Sequence, residues 1–134
     1  MKAIVVNEVT FYLSNHAGAL ADVTKLLADA GVSIRGLLVS EGFGKSVVRV
    51  VVEQEDKALN VLAGAGIDDV SRDHILEVTV ASKAGVIADL SARLSKENIN
   101  IENIYVTEST AQETLCYVSV SEEQVDEAVR VLGE

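Results

Sequence analysis

The chain carries a single cysteine, Cys116, in 134 residues. It can form no internal disulfide, which fits a reducing compartment and an expected place in the cytoplasm. Proline is absent altogether, so turns must rest on glycine and small polar residues. Basic residues are scarce, 11 Lys/Arg against 21 Asp/Glu for a net charge of −10. Residues 1–73 hold seven Lys/Arg and ten Asp/Glu, and residues 74–134 hold four and eleven. Neither half offers the basic face that phosphate neutralisation needs, so no nucleic-acid partner is expected. The acidity serves solubility. No apolar run reaches transmembrane length, so no membrane partner is expected. The amino-terminal stretch Met1–Asn7 is too short in apolar residues for a signal peptide. No His/Cys group has metal-ligand spacing, and neither a metal nor a cofactor is expected. What the chain does have is a hydrophobic content of 49%, which excludes disorder.

Those hydrophobic residues are arranged in a repeat. Asn15-His16-Ala17-Gly18-Ala19-Leu20-Ala21-Asp22 opens an apolar-periodic run that closes at Gly31-Val32-Ser33-Ile34. Ser82-Lys83-Ala84-Gly85-Val86-Ile87-Ala88-Asp89 opens a second, closing at Asn98-Ile99-Asn100-Ile101. Ala17, Gly18, Ala21, Asp22, Leu27, Ile34, Val39 and Glu41 recur 67 positions on. A fixed internal period means two copies of one unit, placed at residues 1–73 and 74–134. Each is near the lower size limit for a core of its own, so the two should lean on each other.

Within a copy the periodicities alternate. Val9, Phe11 and Leu13 have strand period, and Leu20, Val23, Leu27 and Ala30 have helical period. Gly31 is a helix stop. Val32–Ser40 and Val47–Val52 read as strands joined by the glycine-bearing hairpin Glu41–Lys45. Ala58, Leu59, Val61, Leu62 and Ala65 mark a second helix, ended by Gly64 and Gly66, and Ile67–Arg72 a fourth strand. The second copy follows suit. Leu76, Val78 and Val80 form a strand, and Ile87, Leu90 and Leu94 a helix. Ile99–Val106 and Leu115–Val120 read as strands. Ser121 and Gln124 form a capping box ahead of a helix with Val125, Ala128, Val129 and Leu132. The expected fold is α+β, two ferredoxin-like βαββαβ units with antiparallel sheets and helices on one face of each. Copy two has no residues for a fourth strand. The spare segment Lys2–Val6 either completes its open edge or lengthens the first strand.

The two turns and the segments after their helices resemble the ACT domain, a small-molecule-binding regulatory module. Its pattern of a polar residue, Pro-Gly, any residue, Leu-Ala and later Gly-Ile-Asn-Ile is approached in both copies, with Ala17 and Ala84 where the family has proline and Ser33 where it often has asparagine. Asn100–Tyr105 and Phe43-Gly44 resemble stretches of free-standing tandem ACT proteins. The resemblance implies a non-catalytic protein that binds a small ligand, an amino acid above all, forms a homodimer and acts on a partner enzyme. It also implies a ligand held between modules against the turn before the first helix. The site residues so implied are Asn15, His16, Ala17, Gly18, Ala19, Leu20 and Ser33 in copy one. In copy two they are Ser82, Lys83, Ala84, Gly85, Val86, Ile87 and Asn100.

The chemistry of such a turn is general. Unpaired N–H groups at a helix start favour a carboxylate, Gly18 and Gly85 allow close approach to the backbone, and amides or hydroxyls hold polar groups. His16 and Lys83 occupy one place in the two turns and would meet an anion. The plainer alternative is that the glycines only shape the turn and the polar residues cap it. Two other functions stand beside the sensor: an interaction module with an idle site, and a small enzyme on a ferredoxin-like scaffold. Cys116 reads as buried filling, Tyr105 and Tyr117 as sheet packing, and Asp22 and Asp89 as helix-start charges.

Overall fold

The computed structural model describes residues 1–133, so Glu134, the last residue of the second copy, lies outside the described residues. The elements run β1 (Lys2–Ser14), α1 (Ala19–Asp29), β2 (Ile34–Gly42), β3 (Lys45–Val52), α2 (Glu55–Gly64), β4 (Ser71–Ala81), α3 (Val86–Lys96), β5 (Asn103–Ser109), β6 (Glu113–Ser119) and α4 (Val125–Leu132). Two compact units emerge. One is Glu8–Asp73; the other joins Met1–Asn7 to the residues from His74 onward.

In the first unit the strand order is β2-β3-β1. Val9 faces Val50 and Phe11 faces Val48 across an antiparallel ladder. Directly opposite residues share a face, so these four form one apolar layer. Val23 of α1 and Leu62 of α2 pack into the same core, and Leu27, Val32 and Ala58 cluster beside it. Each buried Val, Leu or Phe side chain contributes about 1.5–3 kcal/mol. The opposite face is not apolar: buried Glu8 lies 3.6 Å from the Arg49 guanidinium, which also donates to Thr10 at 3.4 Å.

In the second unit the order is β1-β4-β6-β5. Leu76 faces Val118 and Val78 faces Cys116, and these pack with Leu90 and Leu94 of α3 and Ala128 and Leu132 of α4. Ala3 belongs to this core, and its N–H donates to the Gly133 carbonyl at 2.6 Å. Residues 2–6 are thus continuous with β1 and also part of the second unit. On the other face the Tyr117 hydroxyl donates to Glu77 at 2.8 Å, and Tyr105 and Tyr117 stack 5.5 Å apart.

Three local expectations are corrected. Ile67–Val70 is not a strand; the next strand begins at Ser71. Ile67 N–H instead closes α2 on the Leu62 carbonyl, and Asp68-Asp69 is poor strand material. Ile99 and Ile101 precede β5, which starts at Asn103. Ser121 makes no side-chain cap; its hydroxyl donates to Gln124 Oε1 at 2.9 Å, and a short 3₁₀ turn, Glu122–Gln124, precedes α4.

The two hairpins differ as well. Phe43 and Gly44, both at positive φ (54° and 74°), make the β2–β3 turn, a type I′ geometry that usually selects Asn-Gly. β5 and β6 are joined through Thr110, whose side-chain oxygen accepts from Gln112 and Glu113 N–H at 3.3 and 3.0 Å. Phe11 and Val78 are 67 positions apart, whereas their partners Val48 and Cys116 are 68 apart. Copy two has gained a residue, and β5 carries a bulge between Val106 and Glu108.

Candidate functional site

Each unit presents one turn ahead of its first helix. In the first, β1 ends at Ser14, and His16 N–H returns to the Ser14 carbonyl at 2.9 Å. Gly18 then takes a left-handed conformation, φ 92°, as the residue that starts α1. In the second, Lys83 N–H returns to the Ala81 carbonyl at 3.0 Å, and Gly85, φ 88°, starts α3. A left-handed residue there favours glycine. A Cβ built on either glycine meets nothing within 4 Å, so both turns open onto free space. The carbonyls of Gly18 and Gly85 accept from Asp22 and Asp89 N–H, each at 2.9 Å. Ala19 and Val86 N–H return to the His16 and Lys83 carbonyls at 3.3 and 3.4 Å, and the next amides of each first turn point out of the helix start.

The polar side chains differ. Asn15 Oδ1 accepts a long hydrogen bond, 3.5 Å, from the Ser46 hydroxyl, and His16 Nδ1 sits 3.0 Å from the Ala17 carbonyl. Asn15, His16, Ala17 and Gly18 are exposed; Ala19 and Leu20 are half-buried. In copy two the Ser82 and Thr114 hydroxyls are 2.8 Å apart, and Ser109 joins Thr114 at 2.9 Å. Ser82 N–H is bound to the Gln112 carbonyl at 3.0 Å. Lys83, Ala84, Gly85 and Ile87 are exposed, while Ser82 and Val86 are half-buried. The sequence reading missed Ser46, Thr114 and Ser109. Their signal is the antiparallel register that sets Leu13 opposite Ser46 and Val80 opposite Thr114.

Ser33 and Asn100 lie elsewhere. Each follows the carboxyl end of an 11-residue helix, and such a helix is about 16 Å long. Within one unit neither meets its own turn. Ser33 is exposed and fixed by its backbone, its N–H donating to Gln54 Oε1 at 2.9 Å. Asn100 lines a polar pocket of about 340 Å³ with Ser91, Ser95, Asn98, Ile99 and Ile101. Asn98 takes positive φ, 58°, where Gly31, φ 79°, ends α1; asparagine is the usual substitute for glycine there.

Cys116 is buried, and burial pushes its thiol up to about 11. It is core filling rather than a nucleophile. Among the described residues no cluster of His, Cys, Asp and Glu could hold a metal ion, and no helix is long and apolar enough to cross a membrane.

Two βαββαβ units, each opening its first helix through a left-handed glycine, define a tandem module of the ferredoxin-like class. The ACT domain model matches residues 7–67 and again 74–134, and the chain belongs to that family. Its fold is shared with solved structures. Protein BT0572 from Bacteroides thetaiotaomicron aligns with TM-score 0.87 at 24% identity, over 97% of this chain and 88% of that one. The ligand-free regulatory subunit of aspartate kinase from Thermus thermophilus aligns at TM-score 0.69 and 16% identity, over 98% and 95%. Aspartokinase III of E. coli, solved with lysine and aspartate, aligns at 0.60 and 20%, over 97% of this chain and 31% of that one. No curated protein matches the sequence.

Proposed function

We propose that this chain is a regulatory, non-catalytic protein that binds an amino acid at the turns Asn15–Leu20 and Ser82–Ile87 and acts, as a cytoplasmic homodimer, on a partner enzyme. The observation that carries this reading is the pair of turns themselves. Both hold glycine left-handed at a helix start with nothing within 4 Å of its missing Cβ, so a carboxylate has room to reach the backbone N–H groups. Likeness of fold to an aspartokinase solved with lysine and aspartate supports an amino acid as the ligand class. Ser33 and Asn100 enter such a site only from another module, since each lies a helix length from its own turn.

One observation favours the interaction module with an idle site. In copy two the hydroxyls of Ser82, Thr114 and Ser109 already satisfy one another. A thermal-shift series over the twenty amino acids decides between the two. A ligand at 100 times its Kd adds about 2.7 kcal/mol and raises the melting temperature. No shift with any amino acid at millimolar concentration removes the sensor and leaves the interaction module.

A further inference from the structure

The hairpin of the first unit carries a side chain that the fold itself does not use. Phe43 is fully exposed, 107%, at the tip between β2 and β3. Its φ of 54° is a left-handed conformation that asparagine or glycine adopts more easily. An aromatic ring there gives up both its own burial and the easier turn residue. Its surroundings are those of the first glycine turn. Lys45, two residues on, stands opposite Ser14, where β1 ends and the turn begins. Two residues of chain span about 7 Å at most. The next residue, Ser46, donates to Asn15 in the turn itself. Hairpin tip and turn therefore share one end of the sheet, and Gly18 faces open space there. The second unit has no aromatic counterpart. Its hairpin runs through Thr110, Ala111 and Gln112, with Thr110 bonded to Gln112 and Glu113 and the Gln112 carbonyl bound by Ser82 N–H.

We propose that Phe43 sets the ligand specificity of the first turn by covering the side chain of the bound amino acid, so that this turn takes an amino acid with a large apolar side chain. The proposal rests on the sensor reading above and names the ligand class for one copy. The three parts of such a ligand meet three different groups. Its carboxylate reaches the outward-pointing N–H groups of the first turn of α1. Its ammonium donates to Asn15 Oδ1, whose bond from Ser46 is long at 3.5 Å and leaves acceptor capacity. Its apolar side chain leaves the turn toward the hairpin tip, where the phenyl ring takes it out of water. A fully exposed ring is free to change rotamer and close over a ligand. That contact rewards an aromatic residue at a position that otherwise favours asparagine. The hairpin of the second unit offers only Ala111 and Gln112, so a large apolar side chain gains nothing there.

Calorimetric titration of the full chain with leucine, phenylalanine and alanine, and then with the remaining amino acids, tests the assignment. Wild type binds leucine or phenylalanine at least about tenfold more tightly than alanine. Phe43→Asn removes about that factor for the large pair and leaves alanine where it was. Asparagine suits the left-handed position better than phenylalanine, so loss of folding does not confuse the result, and Phe43→Tyr keeps the preference. A wild type that binds none of the twenty amino acids overturns the sensor reading and this inference with it. A wild type that prefers alanine or a polar amino acid overturns this inference and keeps the sensor. So does leucine or phenylalanine binding that Phe43→Asn leaves intact, or a loss that alanine shares equally.

Discussion

The two copies share a βαββαβ plan and spend their differences in different places. The first ends its leading helix on Gly31, turns its hairpin through Phe43-Gly44, and ties the side chain of its glycine turn by one long bond from Ser46 to Asn15. The second ends on Asn98, adds a residue to its hairpin, and ties its turn into the Ser82–Thr114–Ser109 chain. Its core gathers residues from β1, β4, β6 and both of its helices, with Leu76, Val78, Leu90, Leu94 and Ala128 inaccessible to solvent. Both outer strands carry a bulge, β5 between Val106 and Glu108 and β2 between Ile34 and Gly36. Duplication has left the second copy tied more closely at its turn than the first.

The largest expected effect breaks the second copy alone. Ala3 is fully buried in its core, so Ala3→Glu forces a carboxylate among apolar groups. The loss should be about 3 kcal/mol or more by urea denaturation. Amide exchange should accelerate in Ile75–Val80 and Leu115–Val120. Loosening confined to Val9–Leu13 would show that these residues matter only as an extension of β1.

A smaller effect should fall equally on both. Gly18→Val and Gly85→Val place a branched side chain at φ 92° and 88°. With nothing within 4 Å to clash, the cost is backbone strain, about 1–2 kcal/mol each. Each should also end amino-acid binding at its own turn by covering the helix start. Calorimetric titration showing full binding in both folded variants would dismiss the turns as the site.

The hydroxyl chain should separate the copies again. Thr114→Val removes the partner of both Ser82 and Ser109, at about 1 kcal/mol and with faster exchange at the turn. Ser46→Ala removes only a 3.5 Å bond and should stay within about 0.5 kcal/mol in thermal denaturation. Equal losses would mean that the two turns are held alike.

Much of this was legible in the sequence. Alternation at Val9, Phe11 and Leu13 and helical spacing at Leu20, Val23 and Leu27 report burial directly, and the turn glycines report backbone conformation. The added hairpin residue was hidden because Leu115 and Cys116 are both apolar, so either could face the core. The hydroxyl chain was hidden because register, not composition, sets Thr114 beside Ser82. Ile67–Val70 misled because Ile67 and Val70 pack half-buried against the first core without forming a strand. Of the candidate site, the turn and its glycines were readable. The helix length between each turn and Ser33 or Asn100 follows only once the helices are placed.

Cys116 tests the structural alignment of the copies themselves. By ladder position Cys116 stands where the first copy has Val48, since Phe11 faces Val48 and Val78 faces Cys116. The sequence offset alone would match Cys116 with Arg49. If the ladders are right, Cys116→Val exchanges one buried small apolar group for another and should cost less than about 1.5 kcal/mol. Cys116→Arg should be crippling, because it buries an unpaired cation. Burial raises the thiol to about 11, above its unfolded value, so its stabilising contribution is whole below the unfolded pKa and is lost as pH rises toward 11. Wild type should therefore lose stability relative to Cys116→Val between about pH 9 and 11, measured by paired urea titrations. Thiol labelling of the native chain at neutral pH should be slow and should accelerate only with unfolding. A Cys116 that labels at once in the folded protein, or a wild type that tracks the valine variant through alkaline pH, would place this residue outside the core layer that Val48 occupies in the first copy.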